Sequence, residues 1–126
     1  MAIRRILLSV MSLLWAGMLS AQDPPRLVVR EKLIDFGTRS LSQGDTTVVF
    51  HYKNEGDSAL VISRVAATCT CVVPEFSTEP LQPGDSATIS ARISPYHNGR
   101  FSKTLVIVNN SPETLIRVAI RGQITD

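Results

Sequence analysis

The sequence predicts an all-β protein, an immunoglobulin-like antiparallel β-sandwich of about seven strands. Short apolar runs recur along the chain, and turn-forming clusters of Gly, Pro and Asn separate them. Several of these runs alternate apolar and polar side chains, which is the pattern of a half-buried strand. No stretch combines a sustained helical apolar period with helix caps. Together these observations are typical of two packed antiparallel sheets.

The predicted strands follow one another in the order 27–29, 33–36, 46–52, 59–65, 87–93, 101–108 and 114–120. The run at 87–93 alternates strictly, so its Ile and Ala side chains should face the core while its Thr, Ser and Arg side chains face water. The run at 114–120 shows the same alternation. The predicted core therefore contains Ile89, Ile93, Leu105, Ile107, Ile116 and Val118.

The N-terminus has the three parts of a secretory signal peptide. Arg4 and Arg5 supply the positive charge, residues 6–19 are apolar, and residues 19–21 end in small side chains. The apolar stretch is shorter than the roughly 20 residues that span a bilayer. We therefore expect cleavage after Ala21, which would leave a periplasmic or secreted protein without a membrane span.

The predicted organisation is a signal peptide at residues 1–21, an N-terminal lead-in at 22–32 and the sandwich domain at 33–126. Loss of Arg4 and Arg5 with the signal peptide takes the 13 Lys and Arg residues to 11, equal to the 11 Asp and Glu residues. This balance gives no electrostatic basis for binding nucleic acid. Two cysteines are too few for a disulfide framework, so a hydrophobic core must hold the fold.

The two cysteines, Cys69 and Cys71, stand two residues apart and follow the apolar run at residues 60–65. If the strand continues through them, both thiols point to one face of the sheet. Cα atoms two residues apart in a strand are separated by roughly 6.5–7 Å, which is at or beyond the limit for a disulfide. Thr70 between them is β-branched and resists a positive φ. We therefore expect the cysteines not to be joined in an unstrained bridge, and to be either free thiols or an easily reduced pair.

Several roles for this pair remain open. Cys69 and Cys71 could be purely structural, could exchange disulfides with a partner, or could bind Cu(I) through two thiolates. A tetrahedral zinc site would also require His51 and His97, which come from distant segments without the spacing of a zinc finger. The cysteines are therefore weak metal candidates, and the sequence predicts no cofactor.

A small repeat precedes three of the predicted strands, as Gly44-Asp45-Thr46, Gly56-Asp57-Ser58 and Gly84-Asp85-Ser86. Glycine allows a positive φ, and aspartate can accept a hydrogen bond from a backbone amide two residues on, so turn chemistry explains the repeat. A second interpretation is periplasmic O-glycosylation of the hydroxyl groups that end each triplet. The candidate acceptors are Thr46, Ser58 and Ser86.

Eight short motifs occur along the chain in a characteristic order: Asp35-Phe36-Gly37, Asn54-Glu55-Gly56, Leu60-Val61-Ile62, Cys69-Thr70-Cys71, Pro83-Gly84-Asp85, Gly99-Arg100-Phe101, residues 106–110 and Ile120-Arg121-Gly122. In this order they resemble the bacterial domain-of-unknown-function 1573 family over about residues 33–124. The resemblance implies an exported immunoglobulin-like domain related to the major-sperm-protein and pilus-chaperone type, with no assigned molecular activity. The family usually has Cys-Gly-Cys-Thr, whereas this chain has Thr70 and Val72 at the second and fourth positions.

Sequence patterns for catalysis are lacking. We find no Gly-x-Ser-x-Gly elbow, no phosphate-binding glycine loop ahead of a helix, and carboxylates that cluster in predicted turns. We therefore predict that the chain is not an enzyme but an exported interaction or envelope accessory module with an unknown protein partner. The alternative is a periplasmic thiol-redox or copper-handling protein that uses Cys69 and Cys71.

The predicted binding surface is an edge strand, because the edges of a sandwich carry unpaired backbone N–H and C=O groups. Residues 34–36 are one candidate, since they begin the domain and are bounded by Gly37. Residues 115–120 are the other, as the last strand. Arg117 and Arg121 would reduce nonspecific pairing there, which favours the first candidate.

Overall fold

Eight strands in two four-stranded sheets make up the structure, a computed structural model that describes residues 23–126. The strands are β1 (Leu27–Val29), β2 (Leu33–Ser40), β3 (Thr46–Asn54), β4 (Ile62–Ala67), β5 (Val72–Glu75), β6 (Ser86–Ile93), β7 (Gly99–Asn109) and β8 (Leu115–Thr125). A 3-10 turn at Leu41–Gln43 follows β2. The expected signal peptide and its cleavage site lie outside the described residues.

The two sheets form the predicted immunoglobulin-like sandwich, which is confirmed. The first sheet has the order β1-β3-β6-β5 and is antiparallel throughout. The second has the order β2-β8-β7-β4, in which β2 runs parallel to β8 and the other pairs are antiparallel. Residues 22–32, which we expected to be a lead-in, contain β1, and β1 pairs with β3.

One hydrophobic core fills the space between the sheets, because alternate residues of each strand point inward. All six predicted core residues are buried, with exposed fractions between 0% and 7%. Phe50 of β3 and Ile120 of β8 are fully buried beside them. Period-two alternation identified the inner faces correctly, since a strand covered on one face must place its apolar side chains there.

One of the two predicted edge strands is wrong. Residues 115–120 lie in β8, which is held between β2 and β7 and pairs with both. The prediction assumed that the last strand borders its sheet, but β2 pairs in parallel with β8 and occupies that border instead. Residues 34–36 do lie in an edge strand, β2.

The Gly-Asp repeat meets two different backbone requirements. Gly44 and Gly84 have φ values of +74° and +84°, as turn chemistry predicts. Gly56 does not have a positive φ. A Cβ at Gly56 would instead collide with the backbone of Pro24 and Arg26, where the N-terminal segment crosses the loop. The residue is glycine here because two backbones approach closely.

Candidate functional site

The outer edge of β2 is open within the part of the chain that the structure describes. β2 pairs with β8 on one side, and no strand from residues 23–126 pairs with it on the other. The Ala119 N–H donates to the Lys32 carbonyl at 2.9 Å, next to the first register pair of the two strands. Because the backbone groups of successive residues point to opposite sides of a strand, those of Leu33 and Asp35 point away from β8. They are free to pair with another extended chain.

A β-bulge interrupts β2 directly after Asp35. The register with β8 shifts between Asp35 and Thr38. Gly37, inside the bulge, has a φ of +78° and donates its N–H to Asp35 Oδ1 at 2.8 Å. The sequence Asp-Phe-Gly therefore encodes the bulge, since the aspartate accepts the amide hydrogen and glycine adopts the φ without strain. Such bulges limit indiscriminate pairing at a sheet edge.

Phe36 fixes the position of β2 on the sandwich. Its ring packs edge-on against Phe101 of β7, with 5.6 Å between the ring centroids. The ring lies directly over Gly122 of β8, where a Cβ would collide with it. Gly122 and Phe101 are register partners on the neighbouring strands. The missing side chain at Gly122 thus makes the space in which Phe36 anchors the edge strand.

A shallow groove of about 500 Å³ lies beside the bulge, at the level where β2, β8 and β7 run next to one another. Its lining is polar and comes from all three strands: Asp35, Gly37, Thr38, Arg100, Ser102, Arg121, Gly122 and Gln123. The groove and the open edge of β2 are therefore continuous parts of one surface. We call this combined surface the β2 site.

The charged groups of the groove are two arginines and one carboxylate. Arg121 Nε donates to Asp35 Oδ2 at 3.2 Å. The hydrogen bond from the Gly37 N–H, together with the hydrogen bond and charge of Arg121, holds the pKa of Asp35 below its ordinary value, although desolvation acts in the opposite direction. Arg100 forms no ion pair with the described residues. The groove is thus net positive at neutral pH.

Cys69 and Cys71 lie in a turn beside strand ends, because β4 ends at Ala67 and β5 begins at Val72, so no strand continues through the cysteines. The turn joins β4 to β5, the Val72 N–H donates to the Cys69 carbonyl at 3.2 Å, and the two Cα atoms are 5.2 Å apart. Thr70 does not have a positive φ, so its β-branched side chain is no obstacle. The two sulfurs are joined in a disulfide. How readily the bridge is reduced stays a prediction.

The disulfide lies where the chain passes from the second sheet to the first. Cys71 belongs to the buried core, and its carbonyl accepts a hydrogen bond from the Ser94 N–H at 2.8 Å. Cys69 is half-buried and stands next to exposed Thr70. Copper binding by these residues would require prior reduction, because the soft ligand is the thiolate.

Among residues 23–126, no three His, Cys, Asp or Glu side chains converge as a metal site would require. His51 Nδ1 contacts Glu31 Oε1 at 2.7 Å, and His97 lies exposed against Tyr96. The ligands considered for zinc are therefore not brought together. In the same described range, no helix is long and apolar enough to cross a membrane.

The three hydroxyls considered for O-glycosylation lie at strand starts or just before them. Thr46 and Ser86 are the first residues of β3 and β6, and Ser58 lies in the loop after β3. Ser86 is exposed, whereas Thr46 and Ser58 are half-buried. Modification at these positions stays a prediction.

Sequence reasoning did not identify Arg100 or the groove as a site. Asp35-Phe36-Gly37, Gly99-Arg100-Phe101 and Ile120-Arg121-Gly122 stood out as motifs, but nothing in them indicated that they meet. The parallel pairing of β2 with β8 and the hairpin of β8 with β7 bring all three motifs to one place. This information comes only from the register of β2 on β8. Local sequence patterns do not predict the register between strands that are distant in the chain.

The two-sheet sandwich, with an open and bulged edge strand, defines a domain of immunoglobulin-like fold, which is similar to the fold of PapD-like domains. The sequence pattern of the family described as "Protein of unknown function (DUF1573)" matches residues 27–124. The chain belongs to this family, which confirms the resemblance seen in its motifs. No curated protein matches the chain.

Solved structures share the fold at low sequence identity. A protein of unknown function from Porphyromonas gingivalis W83 has a TM-score of 0.71 and 16% identity, over 85% of this chain and 50% of that one. The chain thus spans about half the length of that protein. The ASH/PapD-like domain 7 of human CEP192 has a TM-score of 0.69 and 11% identity, over 86% and 92%. The E. coli chaperone DraB has a TM-score of 0.52 and 11% identity, over 79% and 54%.

Proposed function

We propose that this protein is an exported, non-catalytic interaction module that binds an extended segment of a protein partner along the outer edge of β2. The observation that carries the proposal is the open edge, on which Leu33 and Asp35 present their backbone groups away from β8. In strand addition, main-chain hydrogen bonds give affinity and alternate side chains give specificity. The likeness of the fold to that of a chaperone, DraB, supports a binding role. Export rests on the N-terminal sequence.

β2 suits this role better than the other edge strands do. β1 and β5 have only three and four residues, and Pro74 in β5 has no N–H to donate. β4 has six residues, two fewer than β2, and both strands contain a register shift. β2 has eight residues and carries exposed Leu33, whose side chain is 46% exposed. A partner strand on β2 would cover this apolar side chain.

The test compares two substitutions at one residue of the edge. Leu33→Pro removes an outward N–H at the first residue of the strand, where proline is tolerated, whereas Leu33→Ala keeps the N–H. A photo-crosslinking amino acid replaces Thr38, and cells that express the protein are irradiated. We expect a defined crosslinked species that persists with Leu33→Ala and disappears with Leu33→Pro.

The crosslinking control is the same photoreactive group at Val49, which is exposed on the outer face of the other sheet. Circular dichroism establishes that Leu33→Pro remains folded. Equal crosslinking from positions 38 and 49, or a crosslink unaffected by a folded Leu33→Pro variant, would refute edge binding.

A second candidate function, thiol exchange, is favoured by the position of the disulfide. Cys69 is half-buried in a surface turn, so an external thiolate can approach its sulfur more easily than that of Cys71. Incubation with reduced glutathione followed by mass spectrometry should detect a mixed disulfide on Cys69 if exchange is the function. Absence of any adduct while the fold is intact would reject it.

A further inference from the structure

The groove of the β2 site has charge that its own residues do not balance. Arg121 is paired with Asp35, but Arg100 has no ion-pair partner among the described residues. Arg100 is the register partner of Gln123, and Ser102 is the partner of Arg121, so the two arginines are diagonal neighbours on adjacent strands. Diagonal side chains of this length can reach one anionic group together. The two guanidinium groups can therefore hold one acidic group between them.

The groove opens toward the free edge at the bulge. Gly37 forms part of the lining, and a Cβ at that position would meet nothing within 4 Å. A side chain that comes from outside β2 can therefore pass over Gly37 into the groove. Asp35 of the same strand also lines the groove, and its carboxylate would repel an incoming acidic group.

We propose that the groove receives a glutamate side chain from the strand that pairs with β2; this inference rests on the proposed function. An added strand would lie about 10 Å from β8, because neighbouring strands are about 4.8 Å apart. Glutamate on that strand and Arg121 on β8 both have long side chains and can bridge this distance over the bulge. An ionised carboxylate that accepts hydrogen bonds from guanidinium groups forms the strong, charge-assisted kind of bond.

The same geometry specifies the surrounding pattern of the partner. The acidic residue should lie opposite Gly37 or Thr38, because a carboxylate directly opposite Asp35 would be repelled. Opposite Leu33, which is 46% exposed, the partner should place an apolar side chain. The partner segment is thus an extended peptide with an apolar side chain opposite Leu33, a neutral one opposite Asp35 and a glutamate beyond it, opposite Gly37 or Thr38.

The test uses a panel of fluorescein-labelled peptides of about eight residues with alternating Val and Thr. Each peptide carries one glutamate at a different position, and a twin panel carries glutamine there. Fluorescence anisotropy with the purified protein measures the affinity. We expect one glutamate position to bind at least about tenfold more tightly than its glutamine twin, and this preference to disappear in 0.5 M salt, roughly, because screening weakens exposed charge pairs.

Arg100→Gln should reduce the preference for that glutamate peptide over its glutamine twin, because only Arg121 then remains to hold the carboxylate. The matched control is Arg64→Gln, which removes the same charge from β4, outside the groove. Leu33→Pro should abolish binding of both peptides. If the glutamate and glutamine peptides bind equally well and neither binds Leu33→Pro, the glutamate assignment is wrong but edge binding is supported. Equal effects of the two arginine variants would also overturn it.

Two further outcomes count against the inference. If no peptide binds at any glutamate position, the groove does not recognise such a strand. If the protein sediments with phosphatidylglycerol vesicles and Arg100→Gln does not, the groove takes a lipid phosphate rather than a peptide carboxylate. Both variants should keep the circular dichroism spectrum of the unchanged protein, since Arg100 and Arg64 are exposed.

Discussion

The fully buried side chain of Asn54 forms hydrogen bonds with four residues of three segments. Its Nδ2 donates to the Ser58 and Leu81 carbonyls at 2.8 and 2.9 Å. Its Oδ1 accepts hydrogen bonds from the Gly56 and Arg26 N–H groups at 3.0 and 3.3 Å. A buried amide with all these bonds made is stabilising, whereas each backbone group left without a partner carries a desolvation cost.

We expect Asn54→Ala to lower the free energy of unfolding by about 2–5 kcal/mol, since it removes four hydrogen bonds to part-buried backbone groups and leaves space at a fully buried position. Urea denaturation followed by circular dichroism measures the change. Asn110→Ala is the control, because Asn110 bonds Val61 and Ala59 in a similar way but is exposed, so water can replace it. An Asn54→Ala effect no larger than that of Asn110→Ala would contradict the role of Asn54.

Glu31 ties the segment between β1 and β2 to β3. It accepts a hydrogen bond from the His51 N–H at 2.7 Å and contacts the His51 ring at 2.7 Å. Partial burial raises the pKa of Glu31, but these hydrogen bonds and the charge of His51 outweigh burial and bring the pKa below its ordinary value. A carboxyl group with a lowered pKa stabilises the fold above its unfolded-state pKa, and this stabilisation is lost as the pH falls through the folded-state pKa.

The unchanged protein should therefore lose more stability than Glu31→Gln when the pH falls below about 4.5, the ordinary pKa of glutamate. Thermal denaturation across that range gives the comparison. Glu75→Gln, a change at an exposed carboxylate of β5, is the control and should follow the unchanged protein. Parallel stability curves for Glu31→Gln and the unchanged protein would show that these contacts do not stabilise the fold.

At the scale of a strand, the seating of β2 depends on the space left at Gly122. Gly122→Ala puts a Cβ where the Phe36 ring lies. The ring also packs against Phe101, and this contact limits how far it can move away from the new Cβ. We expect a loss of about 1–3 kcal/mol in unfolding free energy, the usual cost of overpacking. The same substitution in a Phe36→Leu background should cost less, because the smaller side chain can yield. A cost that is equal in both backgrounds, measured by denaturant unfolding, would rule out this contact as the cause.

The packing of Phe36 also changes how the edge can be tested. Phe36→Pro lies within the predicted edge segment 34–36 and would be a direct test of partner binding if the domain stayed folded. Because the ring is an anchor of β2, that substitution would remove core packing as well as an N–H. Leu33 is exposed and separates the two effects.

The connection between β4 and β5 contains the disulfide. A bridge between residues 69 and 71 closes a very short loop, so the loss of unfolded-chain entropy predicts only about 1–2 kcal/mol of stabilisation. We expect Cys69→Ala/Cys71→Ala to fold to the same circular dichroism spectrum, with a denaturation midpoint lowered by a comparable amount. Failure of this variant to fold would mean that the crossover between the sheets needs the covalent link.

Elements with strong alternation were predictable, and pairings between distant elements were not. The inner faces of β6 and β8 follow from period-two patterning, because only one face of each strand is covered. For Cys69 and Cys71 the sequence left open whether the strand continues through them, and the structure places both in a turn without a positive φ. The position of β2 beside β8 depends on the packing of Phe36 over Gly122, about ninety residues apart, which no local pattern reports.

At the scale of the whole molecule, the β2 site combines a free strand edge with a charged groove. Both come from strands whose inner faces form part of the core. The family pattern covers residues 27–124, so β1 through most of β8 belong to the shared domain. Fold and family are therefore predictable from motifs in order. The groove is not, because its residues come from three strands whose neighbourhood is decided by tertiary packing.

Cleavage after Ala21, which the N-terminal sequence predicts, would leave the described domain intact. Pro24 and Arg26 pack over Gly56, and β1 begins at Leu27. Cleavage after Ala21 would leave these residues in place, whereas a cut several residues later would remove the strap over Gly56. We expect the exported protein to begin at Gln22, as measured by intact mass and N-terminal sequencing. Ala21→Arg should block processing, since the site requires a small residue. Retention of Met1 in the exported protein would show that residues 1–21 are not a cleaved signal.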